Sequence, residues 1–214
     1  MKTLYLVRHG ETEWNRFEVF RGRADIALNE RGLAQANAVG RALKDAPLYA
    51  VISSPLKRAI QTAKPLAARH RVPLIPEEAF NDVDCGDWEG MPMAEVERLF
   101  PEGFRCWMET PHKFRIPGGE SLAILRRRAL RGLKRVLGEA EGEVLCVVSH
   151  RVVTKVMVLA LLGLSNSHFW QIRQDNACIN IIQFPEDDGE AVVVSLNDTG
   201  HLKSLECEPI GKDA

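Results

Sequence analysis

The stretch Leu4-Tyr5-Leu6-Val7-Arg8-His9-Gly10 joins an apolar run to an arginine, a histidine and a glycine. The apolar run is rich in strand-forming residues, which predicts a short buried strand that ends at Arg8. In open α/β sheets, ligands bind at the carboxyl ends of the strands. Arg8 and His9 could therefore hold an anion against an imidazole, and a surface turn with two polar side chains is the alternative interpretation.

Apolar runs typical of strands alternate with helical patterns along the rest of the chain. This alternation favours a mostly parallel sheet with helices on both faces, that is, a three-layer α/β/α fold. The further predicted strands cover 49–53, 72–75 and 144–149, followed by a hairpin of 179–184 and 191–196 joined by the turn-forming residues 185–190. The predicted helices cover 29–44, 56–69, 120–138 and 152–162.

Residues 91–118 interrupt this alternation with short helical pieces and several prolines. They predict a small helical cap inserted over the sheet. The length of the chain suits one large α/β domain. We therefore expect residues 1–214 to form a single domain that includes this cap.

Composition argues against several classes of protein. The 214 residues are 45% hydrophobic and carry a formal net charge of −1, so no global field attracts nucleic acid or anionic lipid. No apolar stretch is long enough to span a membrane, and the first apolar run is too short for a secretion signal. The five cysteines are scattered without paired spacing, which is typical of buried thiols in a reducing compartment. We expect a cytoplasmic protein that binds neither nucleic acid nor membrane.

Three of the predicted strands end in basic groups. Arg8 and His9 follow the first strand, Arg58 opens the helix after the second, and His150 and Arg151 follow the strand at 144–149. If these strands are parallel, their ends meet at one edge of the sheet, where helix N-termini add partial positive charge. Arginine forks match phosphate oxygens, so the predicted ligand is a small-molecule phosphate ester.

The chemistry expected at this edge is phosphoryl transfer. A neutral His9 imidazole can attack phosphorus and divide the transfer into two steps. Arg8, Arg58 and His150 would stabilise the charge on the transferring oxygens, so no metal or other cofactor is required. The leaving alkoxide needs a proton, and the acidic loop at 81–90 contains the candidates. Spacing alone does not choose among Asp82, Asp84, Asp87 and Glu89.

An ordered series of motifs runs through the chain. It comprises Leu6-Val7-Arg8-His9-Gly10-Glu11-Thr12-Glu13-Trp14-Asn15, residues 22–32, residues 53–63, Gly86-Asp87-Trp88-Glu89-Gly90, Pro117-Gly118-Gly119-Glu120-Ser121 and Val148-Ser149-His150. The series resembles the histidine phosphatase superfamily, the phosphoglycerate mutase-like enzymes, over nearly the whole chain. This resemblance implies the phosphoglycerate mutase-like α/β fold.

The resemblance also implies roles for single residues. His9 would become phosphohistidine, and the phosphate pocket would be lined by Arg8, Arg58 and His150. Beside the pocket would lie Asn15 and the backbone of Arg21 and Gly22. Asp82 takes the position of the family's usual glutamate acid/base and is one methylene shorter. Arg151 stands where the family often has glycine, and it either contacts the phosphate or faces solvent.

The segment at 101–119 bears on the reaction. Family mutases carry a longer basic insertion there, so its shortness favours a phosphatase over a cofactor-dependent phosphoglycerate mutase. A further resemblance, to metal-independent phosphoserine phosphatases, is carried by residues 101–107, 111–113, 169–170, 175–177 and 201–202. Cys85 departs from it, because these enzymes have histidine there. Sugar phosphates and α-ribazole phosphate stay open as substrates. An inactive phosphate-binding regulatory module is less favoured, because the nucleophile and its cations are all present.

Four further interpretations concern residues outside the predicted phosphate site. His112 and Lys113 form either a solvated turn or a contact to a substrate carboxylate. The basic run 126–128 is expected to be a solvated helix face, and Trp107 and Trp170 are expected to be packing residues. The late strands could leave an exposed edge suited to a homodimer.

Overall fold

The computed structural model describes residues 1–185 and 190–206. Its strands are β1 (Lys2–Arg8), β2 (Ala50–Ser53), β3 (Leu74–Pro76), β4 (Val144–Ser149), β5 (Ile179–Phe184) and β6 (Val192–Asp198). Among the described residues they form one six-stranded sheet in the order β3-β2-β4-β1-β5-β6. The strands β1 to β4 are parallel, whereas β5 runs antiparallel to β1 and β6 antiparallel to β5. The predicted mostly parallel sheet is confirmed, and most of the predicted turn at 185–190 lies outside the described residues.

Helices cover both faces of this sheet. They are α1 (Glu13–Arg16), α2 (Glu30–Ala42), α3 (Lys57–His70), α4 (Met93–Leu99), α5 (Pro101–Glu109), α6 (Leu122–Glu139), α7 (Arg151–Leu161) and α8 (Lys203–Glu206). One hydrophobic core joins α2 and α3 to the sheet, and a second core joins α6 and α7 to the opposite face. The predicted three-layer α/β/α arrangement is confirmed.

The continuous apolar character of β1 follows from this burial on two sides. Leu4 and Leu6 belong to the core under α6 and α7, whereas Val7 belongs to the core under α2 and α3. All three side chains are fully buried. A strand covered on both faces gains from apolar residues at successive positions, so the usual alternation is lost.

Local capping sets the starts of two long helices. The Asn29 side chain accepts a hydrogen bond from Gly32 N at 2.8 Å, and Ser121 accepts one from Ile124 N at 3.3 Å. The element bounds match the sequence prediction to within two residues, and residues 72–73, predicted as the start of β3, lie in the loop before it. Within the described part of the chain, no helix is long and apolar enough to cross a membrane.

The helices α4 and α5 and a 3₁₀ turn at Pro111–Lys113 occupy the predicted cap. Trp88 is fully buried beneath them, with ring centroids 5.1 Å from Phe20 and 5.3 Å from Phe114. Aromatic pairs at such distances stabilise a cluster beyond their buried area. This cluster fixes the cap over the carboxyl ends of the parallel strands.

Candidate active site

The carboxyl ends of β1, β2 and β4 meet at one edge of the sheet. Arg8 is paired with Ser149 across β1 and β4, and Ser53 is paired with Val148 across β2 and β4. The residues that follow these strands therefore lie side by side. The ring centroids of His9 and His150 are 5.2 Å apart.

His9 is almost fully buried, with 1% of its surface exposed. Its Nδ1 lies 2.6 Å from the carbonyl oxygen of Gly10. Because a carbonyl only accepts, Nδ1 carries the proton and the lone pair is on Nε2. Burial, followed by the positive charge of Arg58, holds the pKa of His9 well below its ordinary value of 6.5. The imidazole is therefore neutral at pH 7 and has a nucleophilic nitrogen.

His150 is also buried and holds the opposite tautomer. Its Nδ1 accepts from Arg58 Nε at 3.2 Å, and its Nε2 lies 2.8 Å from Ser54 Oγ. Ser54 in turn donates to Asn81 Oδ1 at 2.9 Å, so the His150 proton resides on Nε2. Burial and the charge of Arg58 lower the pKa of His150 well below 6.5. This hydrogen-bonded row fixes the ring without giving it a charge.

Arg58 is fully buried and is held by backbone carbonyl groups. Its Nη1 donates to Ala24 O at 2.7 Å and its Nη2 to Gly22 O at 2.8 Å. Its Nη2 also donates to Asp82 Oδ2 at 3.1 Å. One guanidinium thus ties the loop at 21–24, the acidic loop and His150 together.

A cavity of about 290 Å³ opens above these groups. Arg8, Arg21 and Arg151 line it, and the Nε atom of each is buried with no hydrogen-bond partner among the described residues. Burial, then the charges of Arg151 and Arg21, lower the pKa of Arg8 to about 9. Burial likewise lowers the pKa of Arg21 to about 10. Buried donors without partners are costly, so this arrangement suits a bound anion.

Of the four candidate acids, only Asp82 lines the cavity. Its Oδ1 accepts from Val83 N at 2.9 Å, and its Oδ2 lies 3.6 Å from His150 Nδ1. Asp84 and Glu89 accept backbone N–H groups elsewhere in the loops, at 3.0 Å and 2.7 Å. The geometry therefore favours Asp82, whose role as the acid stays a prediction.

We call Arg8, His9, Arg58, Asp82 and His150 the site floor. His9, Arg58 and His150 do not line the cavity themselves but contact residues that do. Asn15 and Gly22 line the cavity as well, and Asn15 Oδ1 lies 3.4 Å from Asn176 Nδ2. The structure thus brings together every residue that the sequence predicted for the site, although it leaves their catalytic roles untested.

The opposite side of the cavity is formed by Met93, Trp107 and Met108 of the cap and by Trp170 in the 3₁₀ turn Asn166–Gln171 after α7. We call these four residues the cap wall. Trp170 Nε1 donates to Trp107 O at 3.2 Å. The buried ammonium of Lys155 lies 4.5 Å and 4.7 Å from the ring centroids of Phe169 and Trp170. Sequence reasoning assigned both tryptophans to packing alone and missed their position beside the cavity. His112 and Lys113 are not among the lining residues.

The interpretation of residues 126–128 as a solvated face is wrong for Arg128. Its guanidinium donates to the carbonyl oxygens of Ala79, Asn81 and Asp82 at 2.7–2.9 Å and forms an ion pair with Glu120. Three hydrogen bonds from this one side chain hold the loop that presents the acid. The signal in the sequence was weak, because a basic run on a helix does not reveal which member turns inward.

No group of three or more His, Cys, Asp or Glu side chains in the described ranges is placed to hold a metal ion.

Comparison with known proteins places the fold and the site in a family. The model of the histidine phosphatase superfamily (branch 1) matches residues 4–199. The chain belongs to the histidine phosphatase superfamily, so the resemblance inferred from the motifs is confirmed.

Individual relatives show which enzymes within this family the chain is similar to. Phosphoserine phosphatase 1 of Hydrogenobacter thermophilus is 40% identical over 202 residues, which cover 94% of this chain and 95% of that protein. Bacillus stearothermophilus YhfR has a TM-score of 0.90 at 29% identity, over 95% of this chain and 100% of that chain. A mutant phosphoserine phosphatase of Entamoeba histolytica, solved with phosphoserine, has a TM-score of 0.83 at 30% identity, over 94% and 100%. The prediction of a phosphatase is confirmed, and the mutase alternative finds no better support.

Proposed function

We propose that this chain is a metal-independent phosphatase that hydrolyses a small phosphomonoester through a phosphohistidine on His9. The observation that carries the proposal is the neutral imidazole of His9, which lies next to the cations Arg8 and Arg58 and to the cavity that Arg8 lines. Arginines supply the positive charge that phosphoryl transfer needs. The imidazole supplies a nitrogen whose lone pair is not used in a hydrogen bond within the described residues.

In the first half-reaction, Nε2 of His9 forms a bond to phosphorus while the ester P–O bond breaks. The positive charges of Arg8 and Arg58 stabilise the negative charge on the transferring oxygens, and His150 accepts from Arg58 Nε and so holds that guanidinium in place. The departing alkoxide takes a proton from Asp82, which then carries a negative charge beside Arg58. The alcohol leaves and the phosphoryl group stays on His9.

In the second half-reaction, water attacks the phosphohistidine. Asp82 accepts a proton from the water, a new P–O bond forms and the P–N bond breaks. Inorganic phosphate is released, and His9 and the protonated Asp82 are restored. Asn15, Arg21, Gly22 and Arg151 bind substrate around the reacting group.

L-phosphoserine is the first substrate to test. The relatives described above support this choice, since two of them are phosphoserine phosphatases. Cys85 stands where these are expected to have histidine, so sugar phosphates and α-ribazole phosphate are the alternatives. We further propose that residues 1–214 act as a single domain in which the cap selects the substrate.

A phosphate-release assay without metal tests the proposal. The substrate panel contains phosphoserine, 3-phosphoglycerate with and without 2,3-bisphosphoglycerate, sugar phosphates and α-ribazole phosphate. We expect release that is unchanged by a chelator. Brief exposure to ³²P-labelled substrate should place an acid-labile label on the protein, and His9→Ala should abolish it.

Two outcomes would contradict the proposal. Isomerisation of 3-phosphoglycerate without phosphate release would indicate a mutase. Binding of phosphate without label or turnover would indicate a regulatory module. The substitution Arg105→Gln, on the exposed side of α5 and outside the cavity, is the matched control and should retain both label and turnover.

The exposed edge of the sheet supports a homodimer as a further proposal. β6 is the last strand of the sheet, and Val192, Val194 and Leu196 on it are 41–54% exposed. Open strand edges with apolar side chains favour pairing with another strand. A monomeric mass in light scattering at assay concentration would contradict this proposal.

The cytoplasm is the compartment that scattered thiols favour, and cell fractionation tests it.

A further inference from the structure

Arg21 and Arg151 are two cations that the phosphoryl-transfer chemistry leaves without an assigned partner. Arg21 lies in the loop after α1, and Arg151 is the first residue of α7, yet both line the same cavity. Arg21 Nη1 donates to Trp14 O at 3.3 Å, but its Nε has no partner among the described residues. The buried Nε of Arg151 has none there either. Two forks with free donors therefore point to a ligand.

The phosphate group already has positive charge of its own close to His9. Arg8 adjoins His9 in the chain and has an unpaired Nε, while Arg58 and His150 lie beside the same imidazole. A phosphoryl group under attack by His9 must lie among these side chains. Arg21 and Arg151 thus add positive charge beyond what the reacting group requires.

Charge around the cavity leads to the same conclusion. Arg8, Arg21 and Arg151 line it with Arg58 beneath them, whereas Glu18 and Asp82 are the lining acids. When Asp82 is protonated to serve the leaving group, only Glu18 is left to oppose the arginines. A phosphate dianion offsets part of this excess, and one more acidic group on the substrate would offset the rest.

We propose that Arg21 and Arg151 together bind a carboxylate of the substrate, and so restrict the enzyme to phosphomonoesters that carry an acid group near the ester. Guanidinium forks bind carboxylates through paired, charge-assisted hydrogen bonds. The proposal rests on the proposed phosphatase function and names its class of substrate. His112 and Lys113, the sequence-based candidates for such a contact, are not among the lining residues.

Two substrates that differ in one carboxylate test this proposal by kinetics. Phosphoethanolamine equals phosphoserine without the carboxylate. For the wild type, we expect kcat/KM to favour phosphoserine by about 10- to 100-fold, the range of one or two charge-assisted hydrogen bonds. Arg21→Gln and Arg151→Gln should each reduce this preference about tenfold, through KM for phosphoserine. Arg105→Gln should leave the preference unchanged.

A binding measurement keeps the proposal independent of turnover. The His9→Ala variant is titrated calorimetrically with 3-phosphoglycerate and with glycerol 3-phosphate, in which an alcohol group replaces the carboxylate. We expect about tenfold tighter binding of 3-phosphoglycerate, and Arg151→Gln in the same background should remove the difference.

Three outcomes would overturn the proposal. The wild type fails to discriminate between the paired ligands, the Arg→Gln substitutions weaken both members of a pair equally, or they weaken neither. The proposed phosphatase function fails in a different way, namely by absence of phosphohistidine and of release from every ester. In that event the calorimetric comparison still decides whether Arg21 and Arg151 bind a carboxylate.

Discussion

The site floor and the cap wall lie on opposite sides of one cavity, but they are built differently. On the floor, His9, Arg8 and Arg58 are each hydrogen-bonded to backbone carbonyl groups at 2.6–2.8 Å. On the cap wall, the rings of Trp107 and Trp170 contact each other, and Trp170 Nε1 donates a hydrogen bond to Trp107 O.

From this difference we expect the site floor to carry out the chemistry and the cap wall to select the substrate. Directional hydrogen bonds to the backbone hold reacting groups in one geometry, which in-line attack on phosphorus requires. Ring and thioether contacts are less directional and adapt to substitution. We expect changes on the floor to lower kcat, and changes on the cap wall to alter KM.

The largest effect should come from Asp82→Asn on the site floor. With phosphoserine, kcat should fall about 10²- to 10⁴-fold, because the alkoxide then leaves without a proton. With p-nitrophenyl phosphate the fall should be much smaller, since nitrophenolate leaves unprotonated. Steady-state kinetics on both esters measure the difference.

Two variants control this experiment. Asp82→Glu restores the carboxyl group and should recover most of the lost kcat. Asp84→Asn removes an acid that does not line the cavity and should have little effect. Equal losses on both esters in Asp82→Asn would show that Asp82 does not supply the proton.

A smaller effect is expected for Trp170→Ala on the cap wall. The variant loses ring contacts to Trp107 and Phe169 and a face that covers the Lys155 ammonium. We expect KM for phosphoserine to rise about tenfold with kcat within about threefold, consistent with loss of one aromatic contact. Phe17→Ala, an exposed aromatic residue outside the cavity, is the control. A fall confined to kcat would contradict the expectation that the cap wall acts on KM and the site floor on kcat.

The smallest effect is expected on the free energy of unfolding at acidic pH. The pKa of His9 and of His150 is lowered in the folded protein, first by burial and then by Arg58. Above about pH 6.5 both rings are neutral in either state, so they leave the stability unchanged. Below it the unfolded chain binds protons that the native state does not, so the free energy of unfolding falls by up to about 1.4 kcal/mol per pH unit for each histidine.

Urea denaturation between about pH 5 and 7.5 measures this slope. His9→Gln should make it shallower by one proton, whereas Phe17→Ala, which removes an exposed side chain that does not titrate, should leave the slope unchanged. An unchanged slope in His9→Gln would show that the floor histidine is not held neutral by burial.

The floor could be predicted from sequence because its residues follow strands. Arg8, His9 and His150 come directly after apolar runs, and parallel strands bring such positions to one edge. Side-chain identity and chain order were then sufficient to infer a phosphate site.

The cap wall and the inward orientation of Arg128 could not be predicted in the same way. Trp107 and Trp170 lie far apart in the chain, and only tertiary packing turns both towards the cavity. Arg128 belongs to an exposed-looking basic run, yet the loop at 79–82 provides carbonyl groups that draw it inward. Loop backbone groups have no sequence period, so their partners cannot be deduced from spacing.

The residues at the end of β1 form hydrogen bonds with residues far along the chain. Arg8 N donates to Cys178 O, Arg8 Nη1 donates to Gln174 O, and Ala177 N donates to His9 O. Translation delivers the nucleophile before these partners, which follow after an interval of 166 or more residues. A nascent chain, or a product truncated before residue 174, would hold every signature motif while Arg8 lacked its anchors. Synthesis itself therefore delays assembly of the site until the fifth strand begins to emerge.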